Sequence, residues 1–315
     1  MQPTLSRRTF TGLTVSLPVA IRLLSGNVQA SHRQATIGAE KSSFDAAFGT
    51  GREDGWFTVY DFSDEGMASY WVAWDANGFA HRIANDYSAI AGGDLPFEPG
   101  LLGQSQFVPE DASINAAGDL TNIQVGASGY YVAQHHSEDV QSTTGRSGNI
   151  LVVDERMIPG DGPNNPNFMR TSIAMEAWEI NPIVPTGYLP GLGAHWQEWQ
   201  ALYGEAAFHQ RGTLLASPPV PGRWMFDDRS IDVILEPAIS SSEAAQWISD
   251  MLSPNLGTMT TTYWLPAPGD EEGLRICLWT QPNGMSTVAL QVVHGGEENG
   301  VVSRFVLGTI APATV

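Results

Sequence analysis

Gly273-Leu274-Arg275-Ile276-Cys277-Leu278-Trp279-Thr280, followed after a turn by Ser286-Thr287-Val288-Ala289-Leu290-Gln291-Val292-Val293 and then by Val301 to Ile310, decides the fold. Three short runs rich in β-branched, aromatic and aliphatic residues, separated by Gly/Pro/Asn clusters, are the signature of an antiparallel meander. The same order and spacing occur once before, at Gly129 to His135, Asn149 to Met157 and Phe168 to Trp178. Gly129-Tyr130-Tyr131-Val132 aligns with Gly273-Leu274-Arg275-Ile276, and Asn149 to Met157 aligns with Ser286 to His294.

Working outward, each meander is preceded by further strands and by a short helix. Phe44 to Gly49 reads as a helix capped by Ser42 or Ser43 and closed by glycine. Strands are expected at Trp56 to Phe62 and Ser69 to Asp75, and Asn77-Gly78 turns the chain into Phe79 to Ile83. Residues 85–128 read as loop. Pro182, Pro185, Gly187, Pro190, Gly191 and Gly193 mark a linker. Beyond it, Trp199 to Gly204 repeats the aromatic helix of the first half, and strands are expected at Arg223 to Phe226 and Ile231 to Glu236. Ser240-Ser241-Ser242-Glu243 caps a helix reaching Leu252, and a strand follows at Thr258 to Leu265. The expectation is an α+β protein of two tandem related modules, each an antiparallel meander with one or two helices on one face. Its bounds are a leader at 1–30, a first module at 31–180, a Pro/Gly linker at 181–194 and a second module at 195–315.

The leader carries Ser6-Arg7-Arg8-Thr9-Phe10, a short apolar stretch from Gly12 to Ile21, and the small-x-small site Val28-Gln29-Ala30. This pattern resembles the signal of twin-arginine export substrates, which implies folding in the cytoplasm, export and cleavage near Ala30. An ordinary secretory signal is the other reading of the same residues. About 20 apolar residues are needed to span a bilayer, so no membrane span is expected here.

The chain carries 15 basic and 34 acidic residues, a net charge of −19. Loss of Arg7, Arg8 and Arg22 with the leader, and of no acid, brings this to −22. Lys41 is the only lysine. Because affinity for nucleic acid comes mainly from neutralising phosphates with Lys and Arg, nucleic-acid binding is excluded as a function class. A small molecule, a glycan or a protein remains open as partner. Cys277 is the only cysteine, so no disulfide forms within the chain, and its strand-like setting marks it as a buried thiol.

Catalytic motifs are absent. Gly126-Ala127-Ser128-Gly129 and Gly145-Arg146-Ser147-Gly148 miss the spacing of a nucleophile elbow, and Gly191-Leu192-Gly193 lacks the third glycine of a phosphate loop. No cofactor is expected. His135-His136-Ser137-Glu138-Asp139 gathers possible metal ligands, but neighbours on a strand point to opposite faces, and a solvated loop is the expected state. His195 and Glu198 share a helix face, with His209 as a possible third ligand. The oxygen-rich loops 154–167 and Asp61 to Gly66 have no calcium-hand spacing. The compositional oddity is ten tryptophans. Their rings either fill the core or form a binding surface, for which Trp56, Tyr70, Trp71, Trp74, Trp196 and Trp199 are the candidates. An exported, non-catalytic binding protein is therefore expected. An extracellular hydrolase acting on carbohydrate through paired carboxylates is the rival.

Overall fold

The computed structural model describes residues 35–61, 69–86, 107–120, 128–157, 167–176, 182–204, 208–209, 213–214, 222–226, 230–266, 272–295 and 300–313. The strands of the first half are β1 (Arg52–Asp54), β2 (Phe57–Tyr60), β3 (Ser69–Trp74), β4 (Ala80–Asp86), β5 (Ser113–Asp119), β6 (Ser128–His136), β7 (Asn149–Met157) and β8 (Asn167–Met175). Those of the second are β9 (Phe208–His209), β10 (Thr213–Leu214), β11 (Arg223–Phe226), β12 (Ser230–Ser240), β13 (Thr261–Pro266), β14 (Glu272–Thr280), β15 (Ser286–His294) and β16 (Val301–Pro312). Four helices lie among the described residues: α1 (Lys41–Phe48), α2 (Glu138–Thr144), α3 (Trp196–Tyr203) and α4 (Ser241–Met251). Antiparallel sheet dominates to a greater degree than the α+β expectation implies.

Each half follows one path. In the first, β1-β2-β3-β4 runs to β8, and β8-β7-β6-β5 returns. In the second, β9-β10-β11-β12 runs to β16, which leads through β15 and β14 to β13. The strand order thus recurs with an offset of eight, and every pairing is antiparallel. The two paths join where β16 crosses to β5, through Ala311 opposite Ala117 and Pro312 opposite Ala116. A strand that belongs to both sheets makes the corner of a sandwich.

Period-two alternation explains the layers. Val132, Leu151, Val153 and Ala174 of the first half face Ile276, Leu278, Val288, Leu290 and Val306 of the second in one shared core. The intervening Ala133, Ile150, Val152 and Ile173 face outward, where Phe44 of α1 and Val140 of α2 cover them. On the far side Cys277, Trp279, Ala289, Phe305 and Leu307 lie under Trp199 of α3 and Ala244, Ile248 and Met251 of α4. The order is helix, sheet, sheet, helix. Strands covered on both faces must read as continuous apolar runs. That is why β15 is buried from Ser286 to Val293. Each such Val, Leu or Ile contributes roughly 1.5–3 kcal/mol.

Several local expectations change. The 85–128 stretch holds β5, a strand of small and polar residues whose place comes from pairing to β6 and β16. Its residues 87–106 and 121–127 lie outside the described ones. The loop expected at 135–139 is instead the end of β6 and the start of α2. There Ser137 Oγ accepts from Val140 N at 3.0 Å and donates to Asp111 at 2.8 Å. The Pro/Gly linker is docked along α4: Thr186 N donates to Ser249 O at 2.9 Å, Leu189 N donates to Asp250 O at 2.8 Å, and Ile183 is buried.

Candidate functional site

The inner faces of both sheets are apolar along most of their length and turn polar at one end. On β6 the inner face runs from Val132 to Tyr130, on β7 from Val153 to Glu155, and on β16 from Val306 to Arg304. Tyr130, Glu155 and Arg170 stand directly opposite one another on β6, β7 and β8. Ile234, Arg304 and Val292 do the same on β12, β16 and β15. The two rows meet where the Arg304 guanidinium lies 5.5 Å from the centre of the Tyr130 ring. Both halves therefore build this end of the layer.

Charges this deep persist only when paired. Arg304 donates through Nε to Asp232 Oδ1 at 2.9 Å and through Nη2 to Asp232 Oδ2 at 2.6 Å, a two-pronged contact from one strand to its neighbour. Burial pulls the Arg304 pKa down, but the hydrogen bonds and charge of Asp232, with Tyr130 and Glu155 behind them, carry it above the ordinary value. Arg170 pairs with Glu155 at 3.2 Å. His294 Nε2 and Ser303 Oγ share a hydrogen bond of 2.7 Å. Among these groups lies a cavity of about 370 Å³, lined by Tyr130 and Glu155 from the first half and by Ile234, Leu235, Glu236, Val292, His294, Ser303 and Arg304 from the second.

The tryptophan candidates fare differently. Trp199 is wholly buried, which removes it from any surface: its ring packs 5.5 Å from Trp224 and 6.3 Å from Tyr203. Trp74 and Tyr70 are half-buried against the outer core of the first half. Trp74 Nε1 donates to Thr58 Oγ1 at 2.7 Å, and Tyr70 meets Phe107 edge-on at 5.0 Å. Trp71 is also half-buried, 6.0 Å from Phe57. Trp56, at the tip between β1 and β2, is 72% exposed. The side chain of Trp196 lies outside the described residues. Of these candidates whose rings are described, none lines the seam cavity.

His195 and Glu198 are a helix cap. His195 Nδ1 accepts from Gln197 N at 3.4 Å, and Glu198 Oε1 accepts from His195 N at 3.0 Å. The His209 side chain is outside the described residues. His135 is buried with neither ring nitrogen hydrogen-bonded, and burial pushes its pKa down to about 4. Because β6 runs unbroken through His136, the two rings point to opposite faces. Of the oxygen-rich loops, 158–166 and 62–68 lie outside the described residues. Asp154 accepts from Thr171 Oγ1 at 2.7 Å and Asp61 from Ser69 Oγ at 2.8 Å. Among the described residues no group of three or more His, Cys, Asp or Glu is placed to hold a metal ion. Burial pushes the Cys277 thiol up to about 11.

The seam residues escaped the sequence reading because their partners lie far away in the chain: Asp232 and Arg304 are 72 residues apart. A signal existed nonetheless. Asp232 in Ile231-Asp232-Val233 is a charge inside an apolar run, and Arg304 borders Phe305-Val306, as Asp154-Glu155 border Val152-Val153; charges in such places require partners.

Among the described residues no helix is long and apolar enough to cross a membrane. No family model matches the chain, and no curated protein matches it. Among solved structures the chain is similar to a DUF4309 family protein (YjgB) from Bacillus subtilis, at 15% identity and a TM-score of 0.23, over 49% of this chain and 97% of that one. It is also similar to the dehydratase domain of RzxB from Pseudomonas fluorescens, at 9% identity and a TM-score of 0.15, over 78% and 94% of the two chains. An acyl-CoA thioesterase II, TesB2, from Mycobacterium marinum follows at 10% identity and a TM-score of 0.14, over 74% and 92%. At these scores the likenesses carry no argument about fold or activity.

Proposed function

We propose that this chain is an exported, non-catalytic binding protein made by tandem duplication of one antiparallel module, and that its ligand occupies the cavity at the seam of the two halves. The duplication is supported by the strand order repeating with an offset of eight. It is supported again by register: Tyr131 stands opposite Asp154, and Arg275, its counterpart in the alignment, stands opposite Gln291, the counterpart of Asp154. The single observation that carries the binding reading is that the 370 Å³ cavity takes its lining from both halves. Ligand sites concentrate at such junctions.

The test is a thermal-shift screen of the full chain against sugars, amines, carboxylates, calcium and zinc. A ligand at 100 times its Kd adds about 2.7 kcal/mol of stability. At least one ligand is expected to raise the melting temperature saturably, and Ile234→Trp, which narrows the cavity, is expected to abolish that rise. A full screen without a ligand sensitive to Ile234→Trp removes the reading.

Export is carried by Ser6-Arg7-Arg8-Thr9-Phe10. Cell fractionation is expected to find the chain cleaved near Ala30 outside the cytoplasm, and to find Arg7→Lys/Arg8→Lys retained inside, uncleaved. Equal export of both sinks the twin-arginine assignment.

One observation favours the rival hydrolase reading: Glu155 and Glu236 line the same cavity. That reading requires turnover of aryl glycosides that Glu155→Gln abolishes.

A further inference from the structure

Beside its ion pairs, the seam cavity holds a serine and a histidine in direct contact. His294 Nε2 lies 2.7 Å from Ser303 Oγ, both side chains are half-buried, and both line the cavity. Other buried or half-buried serine hydroxyls hold the fold together: Ser137 caps α2, Ser241 donates to Gly300 O at 2.7 Å, and Ser249 donates to Val184 O at 2.5 Å. Ser303 and His294 make no other side-chain hydrogen bond among the described residues.

The backbone aims Ser303 at the imidazole. Arg304 of β16 stands opposite Val292 of β15, and Val302 opposite Val293, so Ser303 is an extra residue with no partner on β15. Against β12 the register slips at the same place, from Ile234 opposite Arg304 to Ile239 opposite Val302. A bulge of this kind turns a side chain out of its regular alternation. His294, two residues beyond Val292, shares with it the face that lines the cavity. A hydroxyl within about 3.2 Å of an imidazole nitrogen has the geometry of nucleophile and base.

We propose that Ser303 is a covalent capture site for an ester with a short aliphatic acyl chain, which lies on Ile234, Leu235 and Val292. This rests on the reading of the cavity as a ligand site. With the ring proton on Nδ1, Nε2 of His294 takes the Ser303 proton as Oγ attacks the acyl carbon. The ester C–O bond then breaks, and the leaving alcohol carries that proton away. The product is an O-acyl serine. Among the described residues no third side chain bonds His294 Nδ1 as a hydrolytic triad requires, so the acyl group stays on Ser303 and the site captures without turning over.

The test is p-nitrophenyl butyrate on the full chain, read by nitrophenolate release and by intact-mass spectrometry with peptide mapping. A single burst is expected, leaving one butyryl group per chain on Ser303. Ser303→Ala is expected to abolish it, Ile234→Trp to exclude the acyl chain, and His294→Gln to slow labelling about 100-fold or more. No adduct on Ser303, labelling that His294→Gln leaves at the wild-type rate, or continuous release overturns the proposal. If Ser303 stays unlabelled while a ligand of the thermal-shift screen still responds to Ile234→Trp, the chemistry is wrong and the cavity reading stands. If nothing responds to Ile234→Trp, both fall.

Discussion

Asp232→Ala is expected to cost about 3–5 kcal/mol of stability, because it strands the Arg304 guanidinium in the layer between the sheets. The side chains of Arg304 and Asp232 are 12% and 4% exposed. Arg304 reaches Asp232 through two hydrogen bonds and rests on the Tyr130 ring across the seam. Removing the carboxylate takes away the counter-charge and both acceptors while the cation stays desolvated. Removing both partners is a different experiment. Asp232→Leu/Arg304→Met leaves no buried charge, and replacing a buried pair by apolar residues of similar volume is often neutral or better. Urea denaturation followed by tryptophan fluorescence should show a large loss for the single variant and most of it recovered in the double. A loss below about 1 kcal/mol for Asp232→Ala would mean that water reaches Arg304 as it reaches a surface pair.

Asp154→Asn should stabilise the protein at neutral pH, by an amount that disappears in acid. Burial lifts the Asp154 carboxyl to about 6, with Thr171 holding it down in part. A carboxyl whose folded pKa exceeds its unfolded value binds its proton more tightly when folded. Its contribution is therefore fully present below pH 3.8 and is lost as pH rises through 6. At 1.36 kcal/mol per unit, about two units correspond to about 3 kcal/mol at pH 7. Asparagine keeps an acceptor for Thr171 and never ionises, so it avoids that loss. His135, depressed to about 4, and His81, depressed to about 3, act in the opposite sense. Their contributions fall away as pH drops from 6.5 toward those values. The difference between wild type and Asp154→Asn, measured by urea denaturation from pH 4 to pH 8, isolates the carboxyl. A difference that does not change with pH would show that Asp154 is solvated in the folded protein.

Much of the local structure was legible in the sequence. The runs at 149–157, 223–226, 273–280 and 286–293 became β7, β11, β14 and β15 within a residue. The Ser240 cap opens α4, accepting from Glu243 N at 3.2 Å. Asn77-Gly78 turns the chain as read, with Gly78 at a φ of 84° that disfavours other residues. These elements are set by short-range chemistry. β5 and α2 were missed because neither rests on a periodic apolar pattern. β5 is placed by its neighbours on both sides, and α2 is a short helix held by Ser137 and Asp111.

The tryptophans mark the boundary between the two kinds of information. Residue type alone could not distinguish Trp56, exposed at a hairpin tip, from Trp199, sealed on the inner face of α3. Burial depends on what lies opposite, and nothing near Trp199 in the chain announces Trp224. The same holds for the seam. Periodicity, caps and composition over a few residues were enough for most of the strands, their apolar runs, three of the helices, the acidic balance and the arginine-bearing leader motif. Only the tertiary structure decided that the inner faces of the two halves share one core and that Asp232, Arg304, Tyr130 and Glu155 converge at its polar end. Convergence of that kind is fixed by strand order and register between segments far apart in the chain, where the energy of a buried charge depends on neighbours that local sequence does not name.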